Sequence, residues 1–465
     1  MISNKKKRAV LFLVFFICVL SFCLKPNNFY QSIKIKNIPT KIKQSYSVGD
    51  KVTFNFKNSS PKLGTIYKIR RAHRKIHYSI FYRTGMHIVE TEVEQSHIKN
   101  LTGHSAFKKN ELVTIKDKAV INDGKISYFN SHQLYKIKNV QIFLKQGKVY
   151  TTYHLLAKNN KKTKVIDEEQ LCKTYFVHFH SKTNQKANNK ILNKAFSYAN
   201  KHKQTDIFLP KGEYMIGSKY PKKDYFILPS NSSIIGNHTQ LIIDNFSYWF
   251  GLATGPSPRD GVSNFELSHI QFRANNLKLG AQLLIMADHG NNWYIHHNTF
   301  KLVQKKGNHI FDLGSLQNSI FENNQFVGYA PELTSIAKIT ADKNLHDYYA
   351  EAIQLDAAEK NGIWDAGLIK AIEPNYSIYN NFRFLSDHIV IKNNQFLPFI
   401  NHQGKLIAYG ASIGQHSSKV GHVVIEGNYF HKSLVNGFAH KQIWVLEPIH
   451  FPPSANTLVN NNVID

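Results

Sequence analysis

The sequence predicts a mainly β chain: two small antiparallel units followed by a long β-solenoid. Three observations predict it. An octapeptide of strand, Asn turn and aromatic recurs along the C-terminal part. Short alternating strands fill the region before it. The basic excess divides at the same place. Lys+Arg number 59 against Asp+Glu 31, and residues 1–190 carry 36 of the bases but 10 of the acids. Residues 191–465 are near balance, so only the N-terminal part is drawn to polyanions by charge.

The chain opens with Lys5-Lys6-Lys7-Arg8 and an apolar run over 9–24. Positive charge followed by a short apolar core predicts an export signal or membrane anchor over residues 1–24. As a helix of about 16 residues it spans about 24 Å, a little under the ~30 Å bilayer core. The flanking charge places everything after it outside the cell. A polar, basic linker over 25–45 follows. Cys18 and Cys23 lie in the apolar run, so lone Cys172 leaves no disulfide framework and no cysteine metal site.

Val48-Gly-Asp-Lys-Val-Thr-Phe-Asn-Phe56, Gly64 to Ile69, His77 to Tyr82 and Val89 to Val93 alternate at strand period. They predict a first module over 46–101. Glu111 to Ile115, Ala119 to Gly124, Tyr135 to Val140 and Val149 to Tyr153 repeat the pattern and predict a second over 102–175. Both resemble bacterial SH3-like modules, small β-barrels. The resemblance implies retention on an anionic cell-wall polymer through lysines and aromatics such as Tyr67, Tyr82 and Tyr135.

Ile191, Leu192, Ala195, Phe196 and Ala199 fall on one helical face, and Ile207-Phe-Leu-Pro-Lys-Gly-Glu-Tyr214 follows at once. Then Trp293-Tyr-Ile-His-His-Asn-Thr-Phe300 is echoed by Ser319 to Phe326, Ile389 to Phe396, Val423 to Phe430 and Thr457 to Ile464. Asn298, Asn324, Asn394, Asn428 and Asn462 share one phase. Phe300, Phe326, Phe396, Phe430 and Ile464 share another, with Phe272 before them. Such a repeat means stacked coils, with each residue about 4.8 Å from its equivalent. Both sets are structural and carry no chemistry. The helix, the phrase at 207–214 and the repeat resemble the pectate-lyase-like right-handed parallel β-helix proteins of Gram-positive bacteria. The resemblance covers residues 185–465 and implies a helix capping the open end.

Glu351-Ala-Ile-Gln-Leu-Asp356 is the stretch that points to function. It reads as a short strand with a carboxylate at each end, flanked by irregular inserts over 327–350 and 357–387. Segments of that length in a compact domain are mostly functional. Aligning Ile310, Ile353 and Ile413 as inward residues stacks Phe311 with Gln354, and Leu313 with Asp356 and His416. It leaves Asp312 offset from Asp356 by one residue, on the opposite face. The candidate catalytic residues are Asp356, Glu351, His416 and His309. The candidate substrate contacts are Gln354, Asp312, Tyr348, Tyr349 and Trp364. Carboxyls and imidazoles supply acid and base, and aromatic insert residues stack on sugar rings. Glu351 and Asp356 stand about 16 Å apart along a strand, too far to act as a hydrolytic pair.

The expectation is an extracellular, surface-associated protein that cleaves a polysaccharide, by hydrolysis more than elimination. The alternatives are a polysaccharide lyase and a non-catalytic glycan-binding adhesin. A capsule-directed, phage-like depolymerase fits poorly with the export signal. No metal site, cofactor or nucleic-acid partner is expected: the acid cluster that holds calcium in pectate lyases is not evident, and no recognition motif is present.

Overall fold

The computed structural model describes residues 46–465 apart from 57–58, 116–120, 123–124, 127–131, 158–162, 203, 221–223, 254–256, 332–350, 360–382, 415–419, 434–447 and 452–455. The expected anchor at 1–24 and linker at 25–45 lie outside the described residues, as do His416, Tyr348, Tyr349 and Trp364.

The N-terminal part contains two antiparallel units of the same topology. In the first, Lys51–Phe54, Lys62–Ala72, Lys75–Thr84, His87–Glu94 and Ile98–Gly103 pair in the order fourth, third, second, first, fifth. A 3-10 turn, Gln95–His97, joins the last two. In the second, Leu112–Ile115, Tyr135–Lys145, Lys148–Ala157, Thr163–Asp167 and Leu171–Phe176 pair in that same order. Here Glu168–Gln170 makes the turn. Where the sequence led us to expect two small barrels, the described residues form two five-stranded antiparallel units. The outer strands of the first unit do not pair with each other. The fifth strand of the second unit turns its free edge to the solenoid and pairs in parallel with Thr205–Phe208. That strand therefore ends one sheet and begins the next, which leaves no backbone edge open at the junction.

From there the chain winds as a parallel solenoid with three faces. Face A runs from Leu171–Phe176 through Thr205–Phe208 to Thr457–Asn460. Face B runs from Gly212–Ile216 to Val463–Ile464. Face C stacks Phe226–Ile227, Phe246–Gly251, Gln282–Asp288, Phe311–Gly314, Glu351–Asp356, Ser412–Gly414 and Ile449–His450.

The corner between faces A and B is the repeated one. His297, Asn323, Asn393, Gly427 and Asn461 each adopt a left-handed conformation there, which asparagine and glycine tolerate best. The asparagine that follows is buried in all but the last coil, and Asn298, Asn324, Asn394 and Asn428 each bond their neighbour in the next coil. The Asn324 amide nitrogens of backbone and side chain donate to Asn394 Oδ1 at 2.9 and 3.0 Å. Those of Asn394 donate to Asn428 Oδ1 at 2.9 and 3.0 Å. Each side-chain amide also donates to a carbonyl of the preceding coil, Phe321 O in the case of Asn394. Beside this ladder Phe272, Phe300, Phe326, Phe396 and Phe430 stack nearly parallel, with centroids 4.6–5.2 Å apart.

The helix Gln185–Lys201 covers the first coil. Asn184 caps it by accepting from Ala187 N at 3.1 Å. Leu192, Ala195, Phe196 and Ala199 are buried against the core. Asn189 ties it down, exchanging two hydrogen bonds with the backbone of Gly217.

Candidate functional site

Strand pairing on face C corrects the alignment expected from the sequence. Phe311, not Ile310, is level with Ile353 and Ile413. Asp312 is level with Gln354 and Gly414, and Gly314 with Asp356. Ile310 belongs to the corner, where its backbone N–H donates to Ala352 O. An irregularity between Glu351 and Ile353 absorbs one residue in the next pairing. A slip of one residue moves every side chain to the opposite face. Asp312 and Asp356 were expected on opposite faces; they project from the same outward face, as diagonal neighbours about 7–8 Å apart at Cα.

Asp288 joins them from one coil further back, level with Gly314. Gly314 leaves the room: a Cβ there would sit 2.1 Å from Asp288 Oδ1. The face thus carries Asp288, Asp312 and Asp356 around one glycine, with Glu351 at the far end of the same strand.

These groups are deeply buried, with Glu351 0%, Asp356 2% and Asp312 7% exposed. Burial, and then the negative charge of Asp356, push the Asp312 carboxyl up to about 8. Burial pushes Glu351 up to about 7, against a backbone hydrogen bond that lowers it and with Asp356 again adding. Asp312 is therefore mostly protonated at pH 7 and can donate a proton. Gln354 Nε2 donates to Asp356 Oδ2, which fixes that carboxylate. Ser386 Oγ donates to Asp356 O at 2.8 Å and accepts from Leu316 N.

His309 Nδ1 donates to the Glu351 carbonyl at 2.8 Å and stands 3.9 Å from its carboxylate. That bond fixes the ring and its tautomer, with Nδ1 protonated and Nε2 carrying the lone pair. Gln304 also donates to Glu351 O, at 3.0 Å, and Gln282 donates to His309 O at 2.7 Å. These two buried glutamines were not singled out from the sequence, nor was Asp288. A polar residue bordering a strand within a repeat was the available signal for all three. The structure thus brings Asp312, Gln354 and Asp356 together and puts Glu351 with His309. Among the described residues no group of three or more His, Cys, Asp or Glu is arranged to hold a metal ion.

A second polar cluster sits on face A, where the second antiparallel unit meets the solenoid. Glu266 is fully buried and accepts from His132 Nε2 at 2.7 Å, His296 Nε2 at 3.0 Å and Ser233 Oγ at 2.8 Å. His132 Nδ1 lies 3.5 Å from Asp206. Burial opposes the charge on His132, yet the Asp206 and Glu266 carboxylates raise it to about 10. Burial likewise opposes the charge on Glu266, but the two histidines hold it well below the usual carboxylate range. His132 comes from the other unit, so no local pattern could have predicted this pairing.

No protein-family model matches the chain, and no curated protein matches it. Solved structures show a distant likeness. PfbA, a surface adhesin of Streptococcus pneumoniae, aligns with a TM-score of 0.36 and 16% identity, covering 61% of this chain and 66% of that one. A putative glycosyl hydrolase from Parabacteroides merdae gives a TM-score of 0.24 and 12% identity over 63% of this chain and 96% of its own. The A-module of the mannuronan C-5 epimerase AlgE4 of Azotobacter vinelandii gives 0.23 and 11% over 59% and 72%. Scores at this level carry no argument about activity. By its own strand pairing the chain is a parallel β-solenoid protein, and no helix among the described residues is long and apolar enough to cross a membrane.

Proposed function

We propose that this chain is an extracellular polysaccharide-acting protein that works on the outer side of face C, with Asp312 as the proton donor and Asp356 as its carboxylate partner. One observation carries the reading: the pairing that makes Asp312 and Asp356 diagonal neighbours on one face, with Asp312 pushed up to about 8. Two aspartates of equal reach, diagonal neighbours on one face, supply the two carboxyls that glycoside hydrolysis uses. Asp312 would protonate the glycosidic oxygen. Asp356 would take a proton from the water that attacks the anomeric carbon as the C–O bond breaks. The two antiparallel units, with their excess of lysine and arginine, would hold an anionic wall polymer, and residues 9–24 would reach the membrane.

A second reading, glycan binding without cleavage, is favoured by the burial of all three acids on the strands at 311–314 and 351–356. Carboxyls so enclosed can serve as neutral hydrogen-bonding groups inside a surface that only binds. The test is to incubate residues 26–465 with cell-wall, capsular and plant polysaccharides while following reducing ends and absorbance near 235 nm. Reducing ends alone, abolished by Asp356→Asn, are expected. Absorbance rising with them would replace hydrolysis by elimination. Retained binding without either signal would establish the second reading.

A further inference from the structure

We infer that the cleft between the capping helix and the first face C strand is a separate binding site for an uncharged sugar unit. The cleft has a volume of about 340 Å³ and is lined by Asn193, Phe196, Ser197 and Asn200 of the helix with Asp224, Tyr225 and Ile227. That lies at the lower end of the range for small-ligand pockets.

Its construction supports a ligand. Asn193, Ser197 and Asn200 are spaced four and three residues apart, so they share one helical face. Among the described residues, their side chains and the Asp224 carboxylate make no hydrogen bond to protein, which leaves amide, hydroxyl and carboxylate groups available around one space. Vicinal hydroxyls of a sugar pair with such mixed donors and acceptors. The apolar walls are fixed in place. Phe196 packs edge-on against Phe226 and Trp249, with centroids at 6.0 and 5.4 Å. The ring of Tyr225 is held edge-on to Phe250 at 5.9 Å. A carboxylate with no cation among the lining residues disfavours an acidic sugar.

The site lies on the same face as the acids yet apart from them. Ile227 is level with Phe250, Met286 and Asp312 in successive coils. Three coils separate it from Asp312, roughly 14 Å at 4.8 Å per coil. The choice of a sugar as ligand rests on the glycan reading above, but the site needs no cleavage to operate.

The test is calorimetric titration of residues 26–465 with cellotetraose, maltotetraose and chitotetraose, and with trigalacturonate as the charged comparison. The variants are Asn193→Ala/Asn200→Ala, at solvent-facing helix positions where alanine favours the helix, and Asp312→Asn/Asp356→Asn. The expected result is binding of at least one neutral tetraose, weakened tenfold or more in the helix variant and retained in the acid variant, where any contribution of face C is removed. Circular dichroism would verify that both variants fold. Binding of none of the neutral sugars, or binding indifferent to the helix substitutions, overturns the proposal. Binding lost only in the acid variant overturns it while leaving the face C reading intact. Helix-dependent binding without any cleavage supports this site and counts against hydrolysis at face C.

Discussion

The A–B corner and the edges of face C are built from the same coils and differ in almost every respect. The corner is a fixed short turn, repeated with the same asparagine and the same phenylalanine. Face C is bordered by connections of very unequal length and carries acids where the corner carries amides. In the corner each buried polar group meets its equivalent in the next coil, so repetition satisfies it. On face C, Asp312 and Asp356 are diagonal neighbours, and burial with the charge of Asp356 keeps the proton on Asp312. A solenoid can hold such a face because the periodic corner holds the coils together. The corner thus marks where repetition supplies stability, and face C carries buried acids that work against it.

Substitutions in the corner should therefore have the largest effect on folding. Asn394→Ala removes an acceptor shared by two Asn324 donors and a donor to Phe321 O. With buried groups left unpaired, it should destabilise by about 3–5 kcal/mol in urea unfolding. A loss below about 1 kcal/mol would mean that the ladder is ornamental. Phe326→Ala, inside the stack, should cost a similar ~3–5 kcal/mol. At the end of the same column, Ile464 is 53% exposed. Ile464→Ala should change stability by no more than about 0.5 kcal/mol. Equal losses at the two positions would contradict packing as the origin of the difference.

Face C should behave in the opposite sense. The folded state holds the Asp312 proton up to about pH 8, whereas the unfolded chain releases it near pH 4. Between those values the folded state binds more protons, so this group makes stability fall as pH rises. Asp312→Asn should flatten that fall and raise the melting temperature at pH 8 by a few degrees. Melting curves of the two proteins from pH 4 to 9 measure it, and a steeper fall in the variant would refute the buried-acid account.

A smaller effect is expected at the face A junction. His132 has its folded value raised to about 10. Its contribution is full below about pH 6.5 and is lost as pH rises towards 10. His132→Ala should lower stability by about 1–3 kcal/mol at pH 6 and by much less at pH 10. Urea midpoints at the two pH values would show it, and an equal loss at both would point to packing instead of charge.

What could be read from the sequence follows the same division. The ladder asparagines, the phenylalanine column and the face of the capping helix were all legible, because each repeats a residue type at a regular spacing. The pairing on face C was not. Ile310 and Phe311 are both apolar, and either could be set level with Ile353, a choice of one residue. That single step decided whether Asp312 and Asp356 met. Glu266 was hidden for another reason, since its partner His132 arrives from a different unit. The shared strand Leu171–Phe176 was equally hidden, because an edge strand that pairs on both sides has no sequence pattern of its own.

The central claim is that face C trades stability for action on a polysaccharide, and Asp356→Asn tests it most directly when turnover and melting temperature are measured on the same preparation. Removing one charge from the Asp312–Asp356 pair should abolish reducing-end release, by a factor of at least about 10². The melting temperature at pH 7 should hold or rise. A variant that retains full turnover and melts several degrees lower would show Asp356 to be a structural residue and would contradict the account.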